Sequence, residues 1–479
     1  MKPENYPAEP AHVWEHFYQF TQTPRPSRKE QAVRQYVLDQ AEQGGHSWKM
    51  DAEGNVVVSV AASPGREDRP TVIIQNHLDM VTVKTSDKAH DFDTDPLTLQ
   101  VEEGWLSADR TTLGADNGLG AAAALAVMTD PSVEHPPLEL LFTVDEETGL
   151  GGALNLDASL LSGTVMLNLD TEDWNELYIG CAGGGGWQFA RSFSNDAVAN
   201  GEGWALTLRG LAGGHSGVQI HEQLGNAIKL AAEYLREVPG LRLAMIDIGV
   251  AHNVIPREGN ISFVCPPGQE ALLQERLQTC VARWNSYLPA VDHGIEATLA
   301  PAAIDSALDE VDTLQLLDLV SAWPHGAQSY SLTQPADLVD LSINLAILRL
   351  GDGELFLESS YRFFNEEQSV PLQQAVLALA RAFDLEVTPD VGYPGWQPDF
   401  ESPLLARGIA LHEKLFDVTP EVKAIHAGLE CGILKGKKPD VDILSFGPTI
   451  RGAHSPSERL DIATVTPFWQ YLKALLADI

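Results

Sequence analysis

The sequence predicts an α/β fold in which a discontinuous first domain is interrupted by an inserted segment. Three observations carry this reading. Short apolar strands such as "TVIIQNH" alternate with amphipathic or small-residue helices, the pattern of a sheet covered by helices. Several of those strands end in histidine or carboxylate residues ("HLD", "VDEE", "LNLD"), as at the binding edge of an open parallel sheet. Finally, the run "CAGGGGW" breaks the pattern at Cys181–Trp187, and the Pro/Gly stretch "VGYPGWQPD" closes the altered region.

Element by element, "AHVWEHFYQF" and "RKEQAVRQYVLDQAEQ" read as helices separated by "TPRPS". There Ser27 and Glu30 have the spacing of a capping box. "NVVVSVAA" and "TVIIQNH" are strands, the second apolar enough to be central. "NGLGAAAALAVMTD" is a helix of small residues suited to close packing on a sheet, and "LELLFTVDEE" and "GTVMLNLD" are further strands. The four glycines after Cys181 read as an interdomain hinge. From about 187 to 392 a strand–strand–helix–strand pattern occurs twice, once around "AMIDIGVAHNVIPREGNISFVC" and once around "LSINLAILRLGDGELFLESSYRFF". "VGYPGWQPD" reads as the return linker. A helix, the strands "EVKAIHAG" and "VDILSFGPTI", the loop "RGAHSPSERLDI" and a last helix complete the first domain. The domains expected are therefore 1–186 and 393–479 together, with 187–392 inserted.

Bulk properties exclude several function classes. Lys plus Arg number 31 against 67 Asp plus Glu, a net charge of −36 that repels nucleic acid and anionic membranes. The four cysteines, Cys181, Cys265, Cys280 and Cys431, form no CxxC pair, which fits a reducing compartment. No apolar run approaches the roughly 18 residues a membrane helix needs. The opening "MKPENYPAEPAHVW" has no signal-peptide pattern, so the expected location is cytoplasmic.

Residues i and i+2 of a strand share a face, so His77 and Asp79 emerge together where "VII" runs out. Asp116 in "TTLGADNG", Glu146 and Glu147 in "DEE", Asp170 in "LNLD" and His454 in "GAHSPSE" bring further imidazole and carboxylate groups toward one sheet edge. Each alone has a structural reading as a turn, a cap or a solvated corner. Jointly they have the composition that zinc, cobalt or manganese takes, and a two-metal site needs one bridging carboxylate with terminal ligands on each side.

With these motifs the chain resembles the aminoacylhistidine dipeptidases, also called Xaa-His or cytosol non-specific dipeptidases. These belong to the superfamily of two-zinc dipeptidases, aminoacylases and carboxypeptidases. The resemblance runs from "VWEHFYQFTQTPRPSRKE" through "NHLDMV", "TTLGADNGLGAAAALAVM", "TVDEETGLGGA", "LNLDTED", "GGHSG", "YPGWQPD" and "IHAGLECG" to "SFGPTIRGAHSPSERL". It implies a discontinuous zinc-peptidase catalytic domain, with a central, mostly parallel sheet flanked by helices. It also implies an inserted α+β lid of two ferredoxin-like halves. His77 and Asp170 would bind one metal, Glu147 and His454 the other, and Asp116 would bridge them. Zinc is the first choice of ion, with cobalt or manganese as alternatives. Asp79 would orient and polarise His77, and Glu146 would be the general base acting on a metal-bridging water. In the lid, His215 of "GGHSG" would support the oxyanion, while Asn253 and Arg362 would hold the substrate's carbonyl or carboxylate. The peptide bond between Asp116 and Asn117 would be cis.

The implied reaction is metal-dependent hydrolysis of unblocked dipeptides, broad in specificity and including Xaa-His (carnosine-like) substrates. The alternative is another di-metal exopeptidase or an N-acyl amino acid deacylase of the same superfamily. Departures from the pattern occur at Thr82-Val83 (usually Pro-Gln), Arg110 (usually Gly) and Phe363 (usually Ser), and bear on which side chains are preferred. The first lid-like half carries His215 and Asn253 and the second carries Arg362. The expectation is therefore that one chain holds a complete site, and that any homodimer serves stability. Closure about the glycine hinge is expected to bring His215 and Arg362 to the metals.

Overall fold

A computed structural model of the chain describes residues 2–332 and 338–479. They form two units, Met1–Cys181 with Trp396–Ala424 and Leu429–Ile479, and Ala182–Gly395 with Ile425–Gly428.

An eight-stranded mixed sheet runs through the first unit. Its order is Ser47–Met50, Val56–Val60, Leu138–Thr143, Val72–His77, Val165–Asn168, Asp442–Ser445, Glu176–Cys181 and Glu421–Ile425. The strands from Leu138–Thr143 to Asp442–Ser445 are parallel, and the two before them are antiparallel. Every residue of Val72–His77 and Leu138–Thr143 is buried, as central strands covered on both faces must be. The helix Ala115–Thr129 lies tight against this sheet because its side chains are small. A Cβ on Gly120 would stand 2.5 Å from the Leu169 carbonyl oxygen and 2.6 Å from Asn76 Oδ1.

A second, four-stranded sheet joins distant parts of the same unit in the order Ile450–Arg451, Arg459–Asp461, Trp105–Ala108 and Leu99–Glu102. Its register, Arg459 opposite Ser107 and Asp461 opposite Trp105, brings the "GAHSPSE" loop beside the segment leading to "TTLGADNG". Arg110, on that segment, takes φ +60. This left-handed conformation costs a non-glycine residue roughly 1–2 kcal/mol, which is the physical reason to expect glycine there. Its guanidinium is paired with Asp87 at 2.9 Å and Asp109 at 3.1 Å.

The expected capping box does not form. The second helix, Gln31–Gln43, begins after Glu30 without a side-chain cap. Ser27 Oγ instead donates to Asp79 Oδ2 at 2.7 Å, and Glu30 Oε1 accepts from the Arg28 and Asp145 amides. The buried Asp79 carboxylate claims the Ser27 hydroxyl, and backbone amides claim the Glu30 carboxylate, ahead of the helix end.

In the second unit one antiparallel sheet runs Glu296–Pro301, Glu202–Arg209, Gly259–Cys265, Arg242–Ile248, Val339–Gly351, Glu354–Phe363, Gly183–Ser192, Glu386–Pro389. The first four strands with helices Ala227–Leu235 and Glu270–Tyr287 make one βαββαβ half. The last four with Glu310–Ala322 and Glu366–Ala382 make another. In each, the first and third strands lie inside and the second and fourth outside, the ferredoxin-like arrangement. The halves meet edge to edge where Ile246 pairs with Leu350, and they share one apolar core. They are nested and not consecutive, because Gly183–Ser192 opens the half that Glu310 resumes.

The glycine run is thus a strand, where the sequence reads as a hinge. Its lack of side chains makes room for aromatic rings. A Cβ on Gly185 would lie 2.9 Å from Tyr361 Oη, and one on Gly184 would lie 3.0 Å from Tyr393 Oη. Phe363, one of the departures noted above, is part of the apolar core.

Candidate metal centre

Parallel strands deliver the first groups of the site. His77 is the last residue of Val72–His77, Asp145–Glu147 follow the strand ending at Thr143, and Asp170 follows the strand ending at Asn168. Asp116 sits in the first turn of the helix Ala115–Thr129, and its bond to Asn117 is cis. His454 comes from the loop beyond Ile450–Arg451, at φ +61.

Two groups of side chains share Asp116. Its Oδ1 lies 3.1 Å from His77 Nε2, which is 3.3 Å from Asp170 Oδ1. Its Oδ2 lies 3.0 Å from His454 Nε2, which is 3.1 Å from Glu147 Oε2. Ligand-to-ligand edges around a tetrahedral zinc with bonds of about 2.0–2.1 Å are roughly 3.3 Å, so both groups have the spacing of a coordination shell. Asp170 Oδ1 and Glu147 Oε1 are buried with no hydrogen-bond partner among the described residues. Glu146 and Glu147 form a third grouping with His77 that could hold an ion. The five residues expected as ligands are therefore brought together, with Glu146 beside them.

Asp79 is fully buried, 3.4 Å from His77 Nδ1, which is long for a hydrogen bond. Its oxygens are better engaged elsewhere. Oδ1 accepts from the Glu146 amide at 3.0 Å, and Oδ2 accepts from the Glu147 amide at 3.1 Å and from Ser27. One carboxylate thus abuts His77 and fixes the turn bearing Glu146 and Glu147. Asp79→Ala is expected to lower metal affinity or activity by about 10–100-fold, the usual cost of removing a group behind a ligand. Unchanged kinetics and metal content would refute that role.

Two further residues hold the Asp116 loop, and neither stands out by spacing in the sequence. The buried Arg25 guanidinium donates to the carbonyls of Leu78 (2.9 Å), Asp79 (2.7 Å) and Gly114, tying the "HLD" strand end to "TTLGADNG". Glu458 accepts from the amides of Leu113, Gly114 and Ala115 at 2.7–2.9 Å. Behind the ligands, Glu430 accepts from Gln75 Nε2 and Thr143 Oγ1 at 2.5 and 2.6 Å, while Gln75 Oε1 accepts from Asn168 Nδ2. This buried network links the three strands that carry His77, Glu147 and Asp170.

The electrostatics follow from crowding acids into a buried place. Burial pushes the Glu146 carboxyl well above the ordinary range, with Glu147 and Asp170 adding to the effect against His77. Burial also takes Asp170 up to about 7 and Glu172 up to about 8. Asp79 goes the other way, to about 2, because His77, Ser27 and the Glu146 amide outweigh its burial. His454 is pushed up to about 11 by its hydrogen bonds to Asp116 and Glu147. Five carboxyl groups (Asp79, Asp116, Glu146, Glu147 and Asp170) thus surround two imidazoles, an excess of acids that suits cations.

His215, Asn253 and Arg362 lie in the second unit. His215 pairs with Val254 in a two-residue bridge, and the Ser216 amide donates to the Asn253 carbonyl at 2.9 Å. His215 Nδ1 accepts from the amides of Gly217 (3.1 Å) and Val218 (3.2 Å), so the ring proton sits on Nε2. Arg362 Nη1 donates to Tyr393 Oη at 3.0 Å. His215 and Arg362, from different halves, both flank Gly217: a Cβ there would be 2.9 Å from His215 Cε1 and 3.1 Å from Arg362 Nε.

Comparison with known proteins agrees with this chemistry. Residues 73–478 match Peptidase family M20/M25/M40. The chain is 35% identical over 475 residues to the cytosol non-specific dipeptidase of Escherichia coli (strain K12), covering 98% of each. It is similar to the crystal structure of aminoacylhistidine dipeptidase from Vibrio alginolyticus, with a TM-score of 0.88 and 34% identity over 98% of this chain and 97% of that one. A likeness of fold alone extends to aminopeptidase PepT from Bacillus cereus, with a TM-score of 0.55 and 14% identity over 98% of both chains. On its acidic, histidine-bearing strand ends and on these matches, the chain belongs to Peptidase family M20/M25/M40.

Proposed function

We propose that the protein hydrolyses unblocked dipeptides, with broad specificity that includes Xaa-His substrates, using two divalent metal ions, zinc before cobalt or manganese. The observation that carries this is the pair of imidazole–carboxylate groups sharing Asp116, with Glu146 alongside. His77 and Asp170 would hold one ion, Glu147 and His454 the other, and Asp116 both. Such ions make bound water acidic and polarise a carbonyl. Glu146 takes the proton of the attacking water and returns it to the departing amine. The Nε2 proton of His215 supports the developing oxyanion, and Asn253 and Arg362 hold the substrate's carbonyl or carboxylate. Arginine suits a terminal carboxylate because its planar fork makes two parallel bonds.

The relatives' names support a dipeptide over an N-acyl amino acid as substrate. A panel of dipeptides and N-acyl amino acids, assayed with and without chelator, tests this. Dipeptide turnover abolished by chelator and restored by zinc is expected. Turnover of N-acyl amino acids alone would favour the deacylase reading, and chelator-resistant turnover would reject the metal mechanism.

The location proposed is cytoplasmic, in keeping with four unpaired, buried cysteines and with the name of the Escherichia coli relative. No helix among the described residues is long and apolar enough to cross a membrane. Each chain supplies all the groups the reaction uses, whether or not it forms a homodimer. Mixing an inactive His215→Ala chain with an inactive Glu146→Ala chain, under conditions that exchange subunits, is therefore expected to restore no activity. Recovery would mean that His215 serves a partner chain.

A further inference from the structure

Two motifs remain without a role in the reaction: "YPGWQPD" and "HAGLECG". Within the second unit they meet Arg362. Tyr393 is clamped by backbone bonds, its amide donating to the Gly184 carbonyl at 2.9 Å and its carbonyl accepting from the Gly184 amide at 3.0 Å. Its ring lies between two glycines, since a Cβ on Gly428 would be 2.8 Å from Tyr393 Cε2 and one on Gly184 would be 3.0 Å from Oη. The hydroxyl so fixed accepts from Arg362 Nη1 at 3.0 Å, which leaves its own proton free to donate onward.

His426 approaches from the other motif. It is 6% exposed, its Nε2 lies 2.7 Å from Ser342 Oγ, and its buried Nδ1 has no partner among the described residues. Its carbonyl oxygen would be 2.2 Å from a Cβ on Gly217, the point that Arg362 Nε also approaches. Burial first, and then the charge of Arg362, take the imidazole down to about 3, so it is neutral. Where Ser342 donates to Nε2, the imidazole proton rests on Nδ1. Arg362 itself has no carboxylate within ion-pair range among the described residues, and its buried Nε has no partner. Among the described residues a guanidinium and a phenol thus have donors to spare, the His426 imidazole lies against Ser342 opposite Arg362, and no carboxylate is within ion-pair range of the arginine. That set suits an anion with several lone pairs and disfavours a continuing peptide N–H.

We propose that Tyr393 and His426 join Arg362 in gripping the substrate's free terminal carboxylate, and so confine the enzyme to peptides that end there. This rests on the dipeptidase reading above. The test is calorimetric binding of a reduced-bond dipeptide isostere and its C-terminal amide to the metal-loaded protein, with Tyr393→Phe and His426→Gln as variants. The wild type is expected to prefer the acid. Each variant is expected to cut the acid-to-amide affinity ratio about tenfold, the scale of one hydrogen bond to a charged group. For a free dipeptide, KM should rise by a similar factor with little change in kcat. Acid and amide affinities that fall together, leaving the ratio unchanged, would reduce both residues to structural roles and overturn the proposal. A wild type that turns over dipeptides while the variants keep their ratio sinks this inference alone. A wild type that turns over none sinks the dipeptidase reading, while the binding ratio still judges the carboxylate grip.

Discussion

Glu146→Gln is expected to lower kcat by something on the order of 10⁴-fold while two metal ions remain bound. The residue is asked to move a proton twice, so its loss falls at the upper end of what general acid–base catalysis contributes. Glutamine keeps the shape and the backbone amide, which Asp79 Oδ1 holds at 3.0 Å, so the turn carrying Glu147 stays in place. Glu147 Oε2, at 3.1 Å from His454 Nε2, is unaffected by the change next door. Burial drives the Glu146 carboxyl toward its protonated form, while His77 opposes that push and bound metal ions would add to the opposition. Metal content measured beside turnover decides the assignment. An inactive variant that has lost one ion would mean that Glu146 and Glu147 have exchanged roles.

How much of this was legible in the sequence depends on how each residue acts. His77, Glu147 and Asp170 could be read because short apolar runs announce their strands, and parallel sheets bind at strand C-terminal ends. Asp116 and His454 have no such periodicity; only their motifs single them out. Arg25 and Glu458 act through backbone carbonyls and amides that lie 89 and 345 positions away (Gly114 and Leu113), and no local pattern encodes such a partner. Ser27 was misread for the same reason. Its spacing to Glu30 is that of a cap, yet the buried Asp79 competes for its hydroxyl and wins. The glycine run misled because glycine marks both flexible connectors and strands pressed by bulky neighbours. Here Tyr361 and Tyr393 decide for the strand. Reading that strand as a connector also hid the nesting of the two βαββαβ halves.

Asp116→Ala is expected to abolish turnover and to reduce bound metal from two ions to one or none. Asp116 alone serves both groups, with Oδ1 toward His77 at 3.1 Å and Oδ2 toward His454 at 3.0 Å, so its removal takes a ligand from each ion at once. Asp170→Asn, which alters a single group, should instead spare the ion held by Glu147 and His454. The same logic reaches stability. Asp170 and Glu147 are grouped with Asp116, and Glu146 and Asp79 adjoin His77, so cations would stabilise the folded state by relieving carboxylate repulsion. An ion present at about 100 times its Kd contributes roughly 2.7 kcal/mol, or about 5–10 °C in Tm for a unit of this size. Chelator, which takes both ions from the wild type, should therefore lower its Tm by about twice that, and should lower that of Asp116→Ala by at most the amount for one ion. In chelator the variant, relieved of one buried charge, should melt no lower than the wild type. An Asp116→Ala protein that keeps two ions, or shows the full wild-type shift with chelator, would remove Asp116 from the bridging position.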